Sequence, residues 1–501
     1  MSRKGIIENM YYRNPVIKGF YPDPSVCEAD GRYYLAASSF QYFPGVPLFE
    51  SEDLVNWTQI GYALTRKSQV KLEGVNSSGG VFAPTLRFYC GRFYLVTTND
   101  TTHENFYVYT DDIYGEWSEP IYVDQGGIDP SLLFDEGRVY FISNGTDDTG
   151  EGGVVQCEID ILTGRKLTPS RCIWKGSGGR FLESPHMYKI NGIYYLMAAE
   201  GGTEYGHMVT CARSDSVWGE FESCPFNPVL TNRNKAPYII QGIGHGDLIQ
   251  DKNKEWHILC LGFRQQHIWM PYHHLGREVF LVPVSFCEDG WFKAGYDGTC
   301  DELYEIKGEF EQNEKKRYTF ENTLWNIDWQ YLRHPNEDNY IFEKDSLTLK
   351  GTEVKLDNTD SPTFICMHQR NFGFDLRVKV SADGGEAGVS LYHCENEHYD
   401  IAIRKSEDCF EAMLKLNIGG IKHIQTTAFL ESGSAEITVT ANRFGYMFFV
   451  NGIVLGGAET KYLSSEVCGG FTGTVIGFYA VGSNTARFTD FELIYKEDEE
   501  Q

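Results

Sequence analysis

The feature that most constrains this chain is a hairpin that keeps returning. Asp30-Gly31-Arg32-Tyr33-Tyr34-Leu35 is followed by Cys90-Gly91-Arg92-Phe93-Tyr94-Leu95, Glu136-Gly137-Arg138-Val139-Tyr140-Phe141 and Asn191-Gly192-Ile193-Tyr194-Tyr195-Leu196. A degenerate fifth copy is Asn253-Lys254-Glu255-Trp256-His257-Ile258. Each begins with turn residues suited to positive φ and continues as an aromatic-rich run of strand composition. The second turn positions (31, 91, 137, 192 and 254) lie 60, 46, 55 and 62 residues apart. Each interval holds one four-stranded blade with its loops, so the spacing predicts a five-bladed β-propeller closing near residue 300.

Reading backwards from each turn exposes a second register. Proline stands seven positions before the turn glycine in four copies, as Pro24, Pro84, Pro130 and Pro185. The flanking strings are Asp23-Pro24-Ser25, Ala83-Pro84-Thr85, Asp129-Pro130-Ser131 and Ser184-Pro185-His186. In the fifth copy Gly246-Asp247-Leu248 falls in register, which sets His245 against Glu183 of the fourth. The first strand of a propeller blade lines the central channel, so these positions should converge on the axis. Turn chemistry alone accounts for a single Asp-Pro. Two register-matched copies plus a matched glutamate point instead to a site built from Asp23, Asp129 and Glu183. Carboxylates gathered in one pocket shift one another's pKa, the condition for an acid and a base at neutral pH.

At 501 residues the chain is too long for one ordinary core, and its texture changes past residue 300. Residues 1–304 read as the propeller, 305–317 (EIKGEFEQNEKKR) as a charged linker, and 318–498 as a second domain. That domain alternates with period two in Ser346–Lys350, Phe374–Val380, Ala387–Tyr392, Ala435–Thr440 and Met447–Gly452, the pattern of a jelly-roll or lectin-like β-sandwich. The fold class is therefore all-β. A sandwich of this kind either binds carbohydrate or walls the pocket.

A formal charge of −26 argues against nucleic acid, anionic membrane surfaces and polyanionic substrates. Thirteen scattered cysteines without a C-x-x-C pair form neither a disulfide framework nor a zinc motif, and read as reduced thiols. Residues 1–14 lack the apolar run of a signal peptide, and no run of 18 apolar residues occurs. A cytoplasmic protein acting on a neutral substrate is the expectation.

Several long strings, in order, make the chain resemble glycoside hydrolase family 43, close to its two-domain β-xylosidases and α-L-arabinofuranosidases. They include Asn14-Pro15-Val16-Ile17-Lys18-Gly19-Phe20-Tyr21-Pro22-Asp23-Pro24-Ser25, Gly127-Ile128-Asp129-Pro130-Ser131 and Glu183-Ser184-Pro185-His186-Met187-Tyr188-Lys189. Ala199-Glu200-Gly201-Gly202-Thr203-Glu204-Tyr205-Gly206-His207 and Gly244-His245-Gly246-Asp247-Leu248 match as well. The resemblance implies an exo-acting inverting hydrolase that frees xylose or arabinose from short oligosaccharides, the β-xylosidase reading being preferred. It casts Asp23 as general base, Glu183 as general acid and Asp129 as the residue that tunes and holds that acid. It implies no required cofactor, with a Ca²⁺ beside the channel residue His245 in some members. It further implies substrate contacts from Phe40, Phe82, Arg264 and the sandwich-borne Phe471. Two departures stand out. Phe82-Ala83-Pro84 replaces the usual Trp-Ala-Pro, and Ser184 replaces the glycine of Glu-Gly-Pro-His. A fructan-cleaving propeller and a non-catalytic carbohydrate-binding propeller are the alternatives. An acidic two-domain chain of this type could also assemble as a homo-oligomer.

Overall fold

A computed structural model describes residues 10–306, 311–407 and 409–497. Five four-stranded antiparallel sheets follow one another along the first part of the chain. Their innermost strands are Ser25–Ala29, Thr85–Tyr89, Ile128–Asp135, Glu183–Ile190 and Ile240–Gln250, defining blades 1 to 5. In the first four blades the recurring turn carries two residues of positive φ, such as Asp30 at 52° and Gly31 at 79°. This is the twist-compatible hairpin that the repeat predicts. The fifth is longer: Gln250 pairs with Trp256, and Asp251 Oδ1 accepts the Asn253 and Glu255 N–H groups inside the loop.

The ring is laced shut by the N-terminal segment. Met10–Arg13 pairs with Leu303–Ile306, and the Asn14 side chain both donates to the Leu281 carbonyl and accepts its N–H. Apolar side chains of blades 1, 4 and 5 form one continuous core across this seam. Ile240–Gln250 is buried through nine consecutive residues, as expected of a strand covered on both faces.

Two eight-stranded sheets make up the second unit. Phe374–Ala382 and Ser434–Ala441 alternate buried and open positions, because only one face of each sheet meets the core. The expected linker is shorter than 305–317 at both ends. Pairing with Met10–Arg13 extends the last propeller strand to Ile306, and Arg317 already opens a strand on the sandwich. Residues 307–310 of that expected linker lie outside the described residues.

The two units share structure. Tyr42–Phe43, an insertion of blade 1, is the terminal strand of a sandwich sheet and pairs with Tyr331 and Leu332. Phe20, Phe40 and Tyr42 pack with Leu332, Phe364, Tyr392 and Tyr479 in a common apolar cluster. Blade 1 and the sandwich therefore share one packed wall.

Candidate active site

The repeated strand starts are bent, and the bend aims their side chains. Asp23, Asp129 and Ser184 each precede a proline and take left-handed backbone, with φ of 56°, 53° and 55°. The ladder slips by one residue between Ile128 and Ser131 and again between Glu183 and His186. A β-bulge of this kind redirects a side chain out of the sheet. His245 repeats the geometry at φ 45°, with a register shift between Gly244 and Gly246. Its backbone therefore matches that of Asp23 and Asp129, one slot away from the pairing with Glu183 read from spacing. The five-residue loop of blade 5 is the reason, since it breaks the count from the turn.

Asp23, only 5% exposed, is the most heavily clasped of the three predicted carboxylates. Arg277 Nη1 donates to its Oδ1 at 2.9 Å, and Ser38 Oγ donates to its Oδ2. His245 Nδ1 lies 3.5 Å from the same Oδ1. Burial pushes the Asp23 carboxyl up, but Arg277, with His245, Ser38 and His207, outweighs it and holds the group below its ordinary value. The other two acids go the opposite way. Burial and the Asp23 charge raise half-buried Glu183 to about 7. Burial, then the charges of Glu183 and Asp23, push Asp129 up as well. Asp129 and Glu183 titrate as a pair, so the site combines one charged carboxylate with one that keeps a proton near neutrality. Asp129 Oδ2 also accepts the Ser184 N–H at 3.0 Å, which fixes the residue next to Glu183.

Ser184 is 1% exposed and its hydroxyl has no hydrogen-bond partner among the described residues. The serine thus places a Cβ at a left-handed position that glycine occupies without strain.

The loop leading into Glu183 is tied down by a fourth acid. Fully buried Glu200 accepts the N–H groups of Ser177 at 2.7 Å and Gly179 at 2.5 Å, and the Thr210 hydroxyl at 2.9 Å. A Cβ on Gly179 would come within 2.6 Å of that carboxylate, so the close approach needs glycine.

Of the expected substrate contacts, the aromatic ones come together. Phe40 lies 5.4 Å from Phe82 and 6.4 Å from Phe471 by ring centroid, and Arg277 stands over both Phe40 and Phe471. Phe471 arrives from the sandwich: its N–H donates to Ser78 Oγ and its carbonyl accepts from Arg277. It remains 45% exposed at the rim. Arg264 stands apart from this aromatic group. Its guanidinium grips Glu278 through Nε at 2.7 Å and Nη2 at 2.9 Å, and reaches the Arg370 carbonyl at the sandwich boundary. The arginine at the carboxylates is Arg277, thirteen residues later at the head of strand Glu278–Phe286. The sequence signal for it is a charged Arg277-Glu278 step opening an otherwise apolar run.

For a Ca²⁺ beside His245, waters would have to complete the shell. That ion takes six to eight oxygens, yet the imidazole offers nitrogen and the adjacent Asp23 Oδ1 is bonded by Arg277. Asp247, two residues on, is already occupied by Arg87, Ser25 and Tyr188.

One layer deeper along the same strands lies a second polar cluster. Asp247 accepts from Arg87 Nη1 at 2.8 Å, Ser25 Oγ at 2.7 Å and the Val26 N–H at 3.0 Å, and also from the Tyr188 hydroxyl. Arg87 Nη2 lies 2.9 Å from His186 Nδ1. A guanidinium only donates, so that nitrogen accepts and the ring proton sits on Nε2. Burial lowers the His186 pKa to about 3, which keeps the ring neutral.

Comparison with known proteins agrees with this architecture. The family model for glycosyl hydrolases family 43 matches residues 12–292, and that for the beta xylosidase C-terminal concanavalin A-like domain matches residues 317–494. The chain is 38% identical over 495 residues to a non-reducing end alpha-L-arabinofuranosidase of Bacteroides ovatus, covering 95% of this chain and 92% of that one. It is 34% identical to a xylosidase/arabinosidase of Butyrivibrio fibrisolvens, covering 97% and 99%. A solved structure of the Bacteroides ovatus xyloglucan-locus protein GH43B superposes with a TM-score of 0.90 at 36% identity, covering 97% of this chain and all of the other. By its sequence and its fold alike, the chain belongs to glycoside hydrolase family 43.

Proposed function

We propose that this chain is an exo-acting, inverting glycosidase that removes terminal xylose or arabinose from short oligosaccharides. The observation that carries the reading is the split in protonation: Asp23 held charged by Arg277, Glu183 raised to about 7. A charged carboxylate on one side of the sugar activates water. A protonated one on the other side gives its proton to the departing glycosidic oxygen. Inversion requires these groups about 6.5–9.5 Å apart, with room for the water, a gap that residues from blades 1 and 4 can bridge across a channel. Asp129 acts on Glu183 by its charge and by holding Ser184. Phe40, Phe82 and Phe471 offer apolar faces to the C–H face of a pentose, and Arg277 offers hydrogen bonds to its hydroxyls.

Phe471 at the rim supports attack on chain ends, since a sandwich-borne side chain over the mouth shortens the space for a continuing polymer. β-Xylosides are the favoured substrates. A second reading, an α-L-arabinofuranosidase with little xylosidase activity, draws on the 38% identity to the Bacteroides ovatus enzyme. Turnover of aryl β-xyloside against aryl α-L-arabinofuranoside separates these two. Proton NMR of the first-formed anomer tests the mechanism: an inverted product supports it, and a retained one rejects it. The scattered thiols support a cytoplasmic setting in which imported fragments are the substrate. Self-association of the acidic chain is checked by sedimentation.

A further inference from the structure

Three ligand-type side chains with no part in the carboxylate chemistry meet on the sandwich, one of them three residues before Phe471. Cys394 ends strand Glu386–Cys394, Glu397 opens strand Glu397–Ser406, and Cys468 ends the short helix Ser465–Cys468. Cys394 and Glu397 face each other across a two-residue turn. The two Sγ atoms and a carboxylate oxygen all lie within 4.8 Å of one another. The Cys394 thiol donates to Glu397 Oε2 at 2.6 Å, while Glu397 Oε1 accepts the Gly419 N–H at 3.0 Å. That second bond orients the carboxylate, as outer partners do at metal centres. Glu397 is 4% exposed, whereas both thiols are partly open to solvent, so an ion can reach them.

We propose that Cys394, Glu397 and Cys468 form a site for a thiophilic divalent cation of the Zn²⁺ class, and that its occupancy steadies the loop carrying Phe471. Two sulfurs and one oxygen suit zinc rather than calcium or magnesium, which take oxygen donors. Tetrahedral zinc places such ligands roughly 3.5–3.8 Å apart, a spacing reached here by small side-chain rotations. Binding exchanges protons for the metal: both thiols lose their S–H protons to solvent, the two thiolates and the Glu397 oxygen bind, and water takes the fourth position.

The link to the pocket is short. Cys468 is followed by Gly469, left-handed at φ 72°, by Gly470, and then by Phe471, whose carbonyl accepts from Arg277. Two glycines give this segment wide conformational freedom. Anchoring Cys468 to a metal removes part of it. The binding half of the proposal stands independently of the hydrolase reading, and the loop half rests on it.

Titrating the reduced full-length protein with Cd²⁺, followed by sulfur-to-cadmium charge-transfer absorption, should show one saturating equivalent. Stoichiometric Zn²⁺ should then protect Cys394 and Cys468 from alkylation in the folded wild type, read by peptide mass mapping, while exposed Cys90 and Cys409 stay reactive. Cys394→Ser and Cys468→Ser should each weaken binding at least about tenfold. Alkylation of Cys394 and Cys468 unaffected by Zn²⁺ overturns the site, with no dependence on how the variants fold. For the loop, Zn²⁺ should change the KM for a pentoside in the wild type but not in Cys468→Ser. An unchanged wild-type KM with the site demonstrably filled rejects that half.

Discussion

Two acid clusters share the axis of the propeller, one layer apart, and their charges are handled in opposite ways. In the deeper layer Asp247 meets Arg87 at 2.8 Å with Ser25, Val26 and Tyr188 completing its shell. Burial pushes that carboxyl up, but Arg87 and these hydrogen bonds outweigh it and hold the group far below its ordinary value. In the upper layer three carboxyls share a single arginine, and that arginine is spent on Asp23. Asp129 and Glu183 are left with raised pKa values. The difference teaches how one scaffold serves two ends. A buried acid matched by a cation pins blades together, whereas acids in excess of cations hold a proton ready to give away.

Substitutions should separate the layers. The largest expected effect is on turnover: Asp23→Ala lowers kcat/KM by up to about 10⁴-fold, with unchanged far-ultraviolet circular dichroism. Glu183→Ala should lose about 10²–10⁴-fold on a natural disaccharide and far less on an activated aryl glycoside. Near-normal rates in either variant would remove its assigned role.

Next comes Arg87→Met, which strands Asp247 and should cost about 3–5 kcal/mol of stability by urea unfolding, with kcat per folded molecule nearly kept. The pH dependence has a defined sign. Because the folded pKa of Asp247 is depressed, its stabilisation is fully present above the unfolded carboxylate value of about 4 and is lost as pH falls further. Acid destabilisation from this group should be absent in Arg87→Met. If that variant instead loses activity while remaining as stable as wild type, the two layers are not distinct.

Phe471→Ala comes third, raising KM for pentosides roughly tenfold at constant kcat, through loss of an apolar face over the sugar. The smallest effect belongs to Ser184→Gly. Relief of a left-handed non-glycine residue and of an unpartnered buried hydroxyl should raise stability by about 1 kcal/mol. A calorimetric melt that falls rather than rises would show that the hydroxyl has a partner the fold depends on.

Much of this was legible in the sequence because propeller blades repeat. Turn and strand recur with a readable period, and the position of Asp23 and Asp129 before proline marks the bulge that aims them inward. The repeat failed where its count failed. The five-residue loop of blade 5, in place of two turn residues, breaks the count that placed His245, and no copy of the motif contains Arg277. That residue reaches Asp23 across 254 positions of sequence, a pairing set by ring closure rather than by local pattern. The surroundings of Arg264 were unreadable for a related reason. Its contact at Arg370 and its ion pair with Glu278 are set by tertiary packing that no local string encodes.

The asymmetry between Asp23 and Glu183 is tested most directly by the pH dependence of kcat/KM. A group that must stay protonated loses function as pH rises through its pKa. Wild type on a natural disaccharide should therefore show a descending limb near pH 7, where the Asp129–Glu183 pair gives up the proton that Glu183 donates. In Glu183→Ala assayed on an activated aryl glycoside, whose leaving group needs no proton, that limb should vanish while the acidic limb set by Asp23 remains. A descending limb that persists at the same pH without Glu183 would assign the proton to another residue and contradict the account.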